Sequence, residues 1–482
     1  MKRLLFAALL AGGLVSAAQA VPYAGQIRVS SLSVAQGVGL TINYQLNETA
    51  DSVGIEIRNL SNVVVATFTG TAAQGANSVA WNGTADNAAG AAVTAGNYRV
   101  RITANKNVPL GWTEFASNRS VGNYGTATIL NTIFDGYSGR SFILSRNTDS
   151  PAFGYVLGIT SYLTTTNHAA AVVFDSDLSI SAGDDGFASR KLKGFGDGVA
   201  ITNNTAFWDA VIDPDDPTRV WATGQGGVGA GANQTGLMTA SPILSDNLVD
   251  ADPFDRAAVI LPRGLEVKTI SGTKYAFLTG GTGIINRVVI DGTNNVPDVA
   301  AVDILGVSAV YSRDVRFDAA GNLYYTTRDV AGGNIYRWDA ALVASAVADS
   351  LTPANASWTI TGTATAANMM NAAIAPNGDV YTLAVTGTER GIYLVGNISA
   401  PTLTKTLALA DRVVDYVAIP WQPSTAGGRI AVDIAGNVYA TDNSVEQVRA
   451  FSPGGNTSQI VVAPSSETFA VTAANVSGWG LY

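Results

Sequence analysis

Residues 314–327 read DVRFDAAGNLYYTT, residues 371–384 read NAAIAPNGDVYTLA, and residues 429–442 read RIAVDIAGNVYATD. Each is an alternating apolar strand, a tight turn built on Asp or Pro with Gly, and a second strand opening on Tyr. Looser copies run from Asp209 to Gly224 (DAVIDPDDPTRVWATG) and from Glu266 to Gly280 (EVKTISGTKYAFLTG). Aligning the aromatic that opens the second strand gives Trp221, Tyr275, Tyr324, Tyr381 and Tyr439, at intervals of 54, 49, 57 and 58 residues. A hairpin recurring at that spacing, with another apolar strand pair between copies, is the sequence pattern of a β-propeller.

Working outward, the stretch from about residue 120 to the end holds six units at a period of about 55 residues, with seven as the alternative. Five are anchored by the aromatics above. A sixth is expected around GYVLGITSY (Gly154–Tyr162), with AAVVFDSDL (Ala170–Leu178) among its outer strands. ETFAVTAANVSGWGLY (Glu467–Tyr482) is too short for a blade, and is expected to complete one begun near residues 125–134 and so close the ring. Between Gln26 and Asn105 strands alternate with closely spaced turns, without the long period, as in a β-sandwich. KNVPLGWTEFAS (Lys106–Ser117), with Pro109 and Gly111, reads as a linker. The expected all-β organisation is therefore a leader at 1–20, a sandwich at 21–105, a linker at 106–119 and a propeller at 120–482.

Lys2 and Arg3, the apolar run Leu4–Val15 and Ala18-Gln19-Ala20 have the order of a cleavable secretory signal, with cleavage before Val21. The run is shorter than the about 20 apolar residues of a membrane helix, and no later segment is apolar enough to span. A secreted chain is expected, in the periplasm, on the cell surface or outside the cell. With no cysteine, disulfides, thiolate catalysis and Cys-ligated metals are excluded. Net charge is −9; without Lys2 and Arg3, 26 cations face 37 anions, or −11. Such a surface repels phosphate backbones, so no nucleic-acid partner is expected.

The stretch NSVAWNGTADNAAGAAVTAGNYRVRITA (Asn77–Ala104) resembles the final half of the Ig-like domain of flagellar hook-capping proteins (FlgD), which also occurs in many unrelated secreted bacterial proteins. The matching positions are Trp81, Asn82, Gly83, Asp86, Asn87, Gly90, Val93, Gly96 and Tyr98. That resemblance implies a spacer or docking module, not flagellar assembly. Core and turn roles account for every one of these residues: Trp81 ends an alternating strand, and Asp86-Asn87 and Gly90 supply turn geometry. The hairpin phrase resembles the NHL repeat and the six-bladed propellers of the gluconolactonase and regucalcin type. Such propellers include lactonases, lyases, quinoprotein dehydrogenases and non-catalytic binders, so the fold alone does not choose among them.

About ten residues before the anchor aromatics lie Asp209, Glu266, Asp314, Asn371 and Arg429, which a propeller brings together at one end of its channel. Asp209, Glu266, Asp314 and Asn371 make a candidate Ca²⁺ site, since Ca²⁺ takes six to eight oxygen ligands. The gluconolactonase-type resemblance likewise implies a metal held there by Glu, Asn and Asp. The competing reading is a wet channel mouth lined by polar side chains, with Arg429 neutralising the acids. Catalytic signals are sparse: His168 stands alone, no Gly-x-Ser-x-Gly elbow occurs, and the Gly-rich Thr223–Gly236 lacks a Gly-Lys-Ser/Thr ending. The leading expectation is a non-enzymatic secreted bacterial protein, an Ig-like module presenting a propeller that binds a glycan, surface polymer or protein. Its rivals are a Ca²⁺-dependent lactonase or hydrolase of the six-bladed type and a structural surface-layer or appendage component.

Overall fold

The computed structural model describes residues 22–473, apart from 88–89, 107–109, 118–138, 151, 161–170, 180–205, 226–235, 241–262, 281–282, 291–296, 307–310, 329–332, 364–366, 417–428, 443–446, 455–459 and 463–467. The expected leader, His168, residues 125–134 and most of the Gly-rich stretch after Thr223 lie outside the described residues.

The first seven strands are β1 (Ala24–Val29), β2 (Ser33–Ala35), β3 (Leu40–Leu46), β4 (Ser52–Asn59), β5 (Val64–Thr69), β6 (Gly75–Trp81) and β7 (Gly96–Asn105). Burial alternates along β7, where Tyr98, Val100 and Ile102 are buried between more accessible neighbours, as period-two side-chain alternation requires. One sheet has the order β1-β3-β6, and a second contains β7-β4-β5. Ile42, Leu46, Ile55, Ile57, Trp81 and Ile102 belong to one buried core. This is the Ig-like sandwich.

Next comes β8 (Leu110–Ser117), and then the strands of six blades. Blade 1 holds β9 (Gly139–Leu144), β10 (Tyr155–Thr160) and β11 (Ala171–Asp175), and blade 2 holds β12 (Ala206–Ile212), β13 (Val220–Gln225) and β14 (Gly236–Ala240). Blade 3 holds β15 (Gly264–Ile270), β16 (Thr273–Thr279), β17 (Ile285–Ile290) and β18 (Pro297–Asp303). Blade 4 holds β19 (Tyr311–Phe317), β20 (Leu323–Arg328), β21 (Asn334–Trp338) and β22 (Trp358–Thr361), with a short helix α1 (Ala340–Ala344). Blade 5 holds β23 (Ala367–Ile374), β24 (Asp379–Thr386) and β25 (Gly391–Asn397); the chain then adds β26 (Leu403–Thr406) to the edge of blade 4 before returning as β27 (Arg412–Asp415). Blade 6 holds β28 (Ile430–Val432), β29 (Val438–Asp442) and β30 (Gln447–Gly454). The innermost strands neighbour one another in the order β9, β12, β15, β19, β23, β28 and back to β9. Among the described residues the ring is closed and six-bladed.

The repeated turn explains why each hairpin forms. The Asp433 carboxylate accepts the backbone N–H groups of Ala435 and Asn437, both at 2.8 Å, while Gly436 takes φ +85°, a conformation costly for any residue with a Cβ. Asp318 makes the same bond to Asn322 at 2.9 Å, with Gly321 at φ +87°. The aromatic that follows the turn is buried at Trp221, Tyr324, Tyr381 and Tyr439 and half-buried at Tyr275; Trp221 donates its indole N–H to Asp213 at 2.7 Å, and Tyr324 packs edge-on against Trp358 at 5.6 Å.

Two expectations about the chain ends are corrected. The presumed linker contains β8, which pairs antiparallel with β30 and so supplies the outer strand of blade 6. The described part of the C-terminal stretch joins the Ig-like sheet and not the propeller. Its strand β32 (Thr468–Thr472) pairs with β7 and with β2, and β31 (Ile460–Val462) also pairs with β7, so both extend the Ig-like sheet. Local alternation marks a strand but does not say which edge it will join. Phe469 of β32 enters the sandwich core, 5.8 Å from Trp81 and 5.9 Å from Tyr98 between ring centroids. The two modules also meet at Gly25 and Gly154, where a Cβ on Gly25 would lie 2.6 Å from the Gly154 Cα, and at Gln26, which donates to Asp175 at 2.7 Å.

Phe469→Ala removes a side chain that is 1% exposed from a core formed mainly by residues more than 360 positions away in the chain. A loss of about 3–5 kcal/mol is expected. Hydrogen exchange should accelerate in Gly96–Arg99 before it does in the β19–β20 hairpin, a contrast that mass spectrometry can read.

Candidate functional site

Each innermost strand contributes one polar residue to a belt around the axis: Ser141 from β9, Asp209 from β12, Glu266 from β15, Asp314 from β19, Asn371 from β23, and Arg429 immediately before β28. The register of β12 shifts between Phe207 and Asp209, and that of β19 between Ser312 and Asp314. An extra residue of this kind re-aims the side chains that follow it. Apart from Arg429, the belt residues stand within the strands rather than opening them, so they lie deeper than the channel mouth expected from the sequence.

Two guanidinium groups organise the belt. Arg429 reaches Asp209 at 2.6 Å and Asp314 at 2.7 Å through Nη1, and its Nη2 donates to the carbonyls of Arg263 and Arg313. Arg316, two residues beyond Asp314 and on the same strand face, contacts Asp209 at 3.2 Å, Asp314 at 3.2 Å and Glu266 at 3.5 Å. Asp209 also accepts Ser141 Oγ at 2.6 Å and the Leu265 N–H at 2.7 Å. Asn371 is engaged elsewhere: its Nδ2 donates to the Ile430 carbonyl at 2.7 Å and its Oδ1 accepts the Ile430 N–H at 3.0 Å, joining blades 5 and 6.

The acids differ in their ionisation. Burial opposes the charge on Asp209, but Arg316 and Arg429 outweigh it and hold the carboxyl below its ordinary range. Burial pushes Asp314 up to about 6 against the pull of the same two cations, with Asp209 adding to the rise. Glu266 goes up to about 7, chiefly through burial; Arg316 opposes this, and the charges of Asp314 and Asp209 reinforce it.

A pocket of about 470 Å³ opens beside the belt, among the C-terminal parts of the innermost strands. Ile143, Phe317 and Ile374 form apolar wall, while Glu266, Arg316, Asn371 and Arg429 line it with polar groups. Arg146, which follows β9, donates to the carbonyls of Val432 and Ile374 and ties blade 1 to blades 5 and 6 at the rim. The Glu266 side chain is 20% exposed, against 0% for Asp209 and Asp314, so it is the belt acid that a ligand can reach.

Asp209, Glu266 and Asp314 are thus brought together as the sequence suggested, but around guanidinium groups. This donor set does not suit Ca²⁺: the oxygens a cation would need from Asp209 are committed to Arg316, Arg429, Ser141 and Leu265, and both polar atoms of the Asn371 amide are committed to Ile430. Among the described residues no group of three or more His, Asp or Glu side chains is arranged to hold a metal. Ser141, Arg146 and Arg316 were not identified from the sequence. Strand alternation from Asp314 could have found Arg316; nothing local marked the other two.

Comparison with known proteins adds the following. Residues 30–107 match the FlgD Ig-like domain family. No curated protein sequence matches the chain. Among solved structures, similar ones include a Bacteroides uniformis protein described as a 6-phosphogluconolactonase (13% identity, 88% of this chain and 97% of that one, TM-score 0.40). Others are the Dos1 propeller (11%, 67% and 95%, TM-score 0.34) and a luciferin-regenerating enzyme (13%, 49% and 67%, TM-score 0.33). Six sheets whose inner strands follow one another around a ring make this part of the chain a propeller.

Arg429→Met should cost about 3–5 kcal/mol, because it strips one cation from two buried carboxylates. Adding Asp314→Asn should restore part of the loss in denaturant titrations. Glu266 has its folded pKa raised from 4.5 to about 7, so the folded state holds a proton that the unfolded chain releases. Its contribution to stability is complete below about pH 4.5, declines as pH rises to about 7 and stays lost above that. Glu266→Gln, neutral throughout, should therefore gain on the wild type between pH 5 and 8.

Proposed function

We propose that this chain is an exported, non-catalytic binding protein, in which the Ig-like module holds a six-bladed propeller whose axial pocket takes a glycan, a surface-polymer end or a protein side chain. The export part rests on the leader-like first twenty residues. One observation carries the binding part: Arg429 and Arg316 already neutralise Asp209 and Asp314, leaving a shaped pocket with fixed polar groups. A concave, partly apolar site with a few convergent polar groups is suited to recognition.

A second reading has one observation in its favour. Glu266 faces the pocket and titrates near neutrality, as a general base for opening a lactone or ester would. In that case turnover would rise with pH through about 7 and vanish in Glu266→Gln.

The mature chain from Val21 onward, treated with chelator, is expected to give no saturable heat with Ca²⁺. It should melt higher in the presence of a matching oligosaccharide or polymer fragment, and Ile374→Trp, which fills the pocket, should abolish that shift. A calcium isotherm lost in Asp209→Asn, or turnover in a lactone and ester screen, would instead favour the hydrolase.

A further inference from the structure

At the opposite end of the channel from the pocket, the N-terminal parts of the innermost strands bring together a cluster that the belt does not use. Trp208 is the extra residue in β12, between Phe207 and Asp209. Arg263 immediately precedes β15, and its backbone is pinned by an N–H bond to the Thr279 carbonyl at 2.7 Å. Tyr311 opens β19 and lies directly across from Arg328 of β20. The Arg263 guanidinium carbon sits 5.2 Å from the Trp208 ring centroid and 5.8 Å from that of Tyr311. Three consecutive blades therefore converge on one cation.

Stacking against rings occupies the faces of a guanidinium and leaves its N–H edge, which matches a carboxylate through two parallel bonds. Arg263 Nε is buried without a hydrogen-bond partner, and among the described residues neither Arg263 nor Arg328 has a carboxylate within ion-pair distance. Burial and the charge of Arg328 both lower the pKa of Arg263, as expected of a cation short of counter-charge. Tyr311 is 54% exposed, offering a ring face beside that cation. The Arg263 carbonyl in turn accepts Arg429 Nη2, which fixes the residue to the belt.

We propose that Arg263, Tyr311, Trp208 and Arg328 form a second binding site, which takes the carboxylate of a hexuronic acid at the Arg263 edge and packs the sugar ring on Tyr311. The planar fork selects a carboxylate, and the exposed ring selects a ligand that carries a C–H face next to it. The site is independent of the axial pocket, since none of its four residues lines that cavity.

The test uses the mature full chain, with glucuronate, galacturonate, glucose and acetate as probes, followed by tryptophan fluorescence and saturation-transfer NMR. At least one uronate should bind saturably, with glucose and acetate at least about tenfold weaker. Arg263→Gln should weaken uronate binding by about tenfold or more. Tyr311→Ala, at an exposed position that folding tolerates, should weaken it several-fold, and the pocket-filling Ile374→Trp should leave it unchanged. The proposal is overturned if neither uronate saturates, if acetate binds as tightly, if Tyr311→Ala has no effect, or if Ile374→Trp abolishes binding.

Discussion

Six innermost strands converging on one axis leave little room for anything but side chains, and what fills that space here is charge. Asp209 and Asp314 are fully desolvated, and neither would be tolerated there as an anion without Arg429 and Arg316. Arg429 comes from blade 6, Asp209 from blade 2 and Asp314 from blade 4, so one guanidinium joins three blades that are not sequence neighbours. An apolar plug would contribute comparable stability in such a place, but it would not care which blade stood opposite which. The ion network does, because each carboxylate needs its cation at a fixed angle.

The same logic governs the chain ends. A propeller made from consecutive meanders has a seam, and here β8 covers it by pairing with β30. The Ig-like sheet has an open edge along β7, and β31 and β32 cover that. Each module is completed by a strand that the chain must bring back from the other, and Phe469 fills the space between Trp81 and Tyr98. The close backbone contact of Gly25 with Gly154 then leaves no slack between them. Ig-like module and propeller are coupled through strand pairing at their edges rather than tethered by a linker.

Along the axis the two ends are chemically unlike. One end is a pocket with apolar walls and a carboxyl group, Glu266, poised near neutrality. The other is an aromatic-flanked guanidinium. The belt between them is held by Arg429, which touches the acids on one side and the Arg263 carbonyl on the other.

By itself the sequence determined the hairpin and its repetition. The turn Asp, the left-handed Gly and the aromatic that follows act within a few residues of one another, so their pattern survives in one dimension; the Ig-like motif around Trp81 is legible for the same reason. It also picked out Asp209, Glu266, Asp314 and Arg429 as neighbours, because a repeat places equivalent positions side by side. Tertiary structure alone decided that Arg316 and Ser141 join them, that Asn371 spends both its polar atoms on Ile430, and that Arg316 shares with Arg429 the neutralisation of the acids. It alone decided which edges β8 and β32 complete. Those outcomes depend on pairings between residues hundreds of positions apart, and a strand's alternation is identical whichever partner it finds.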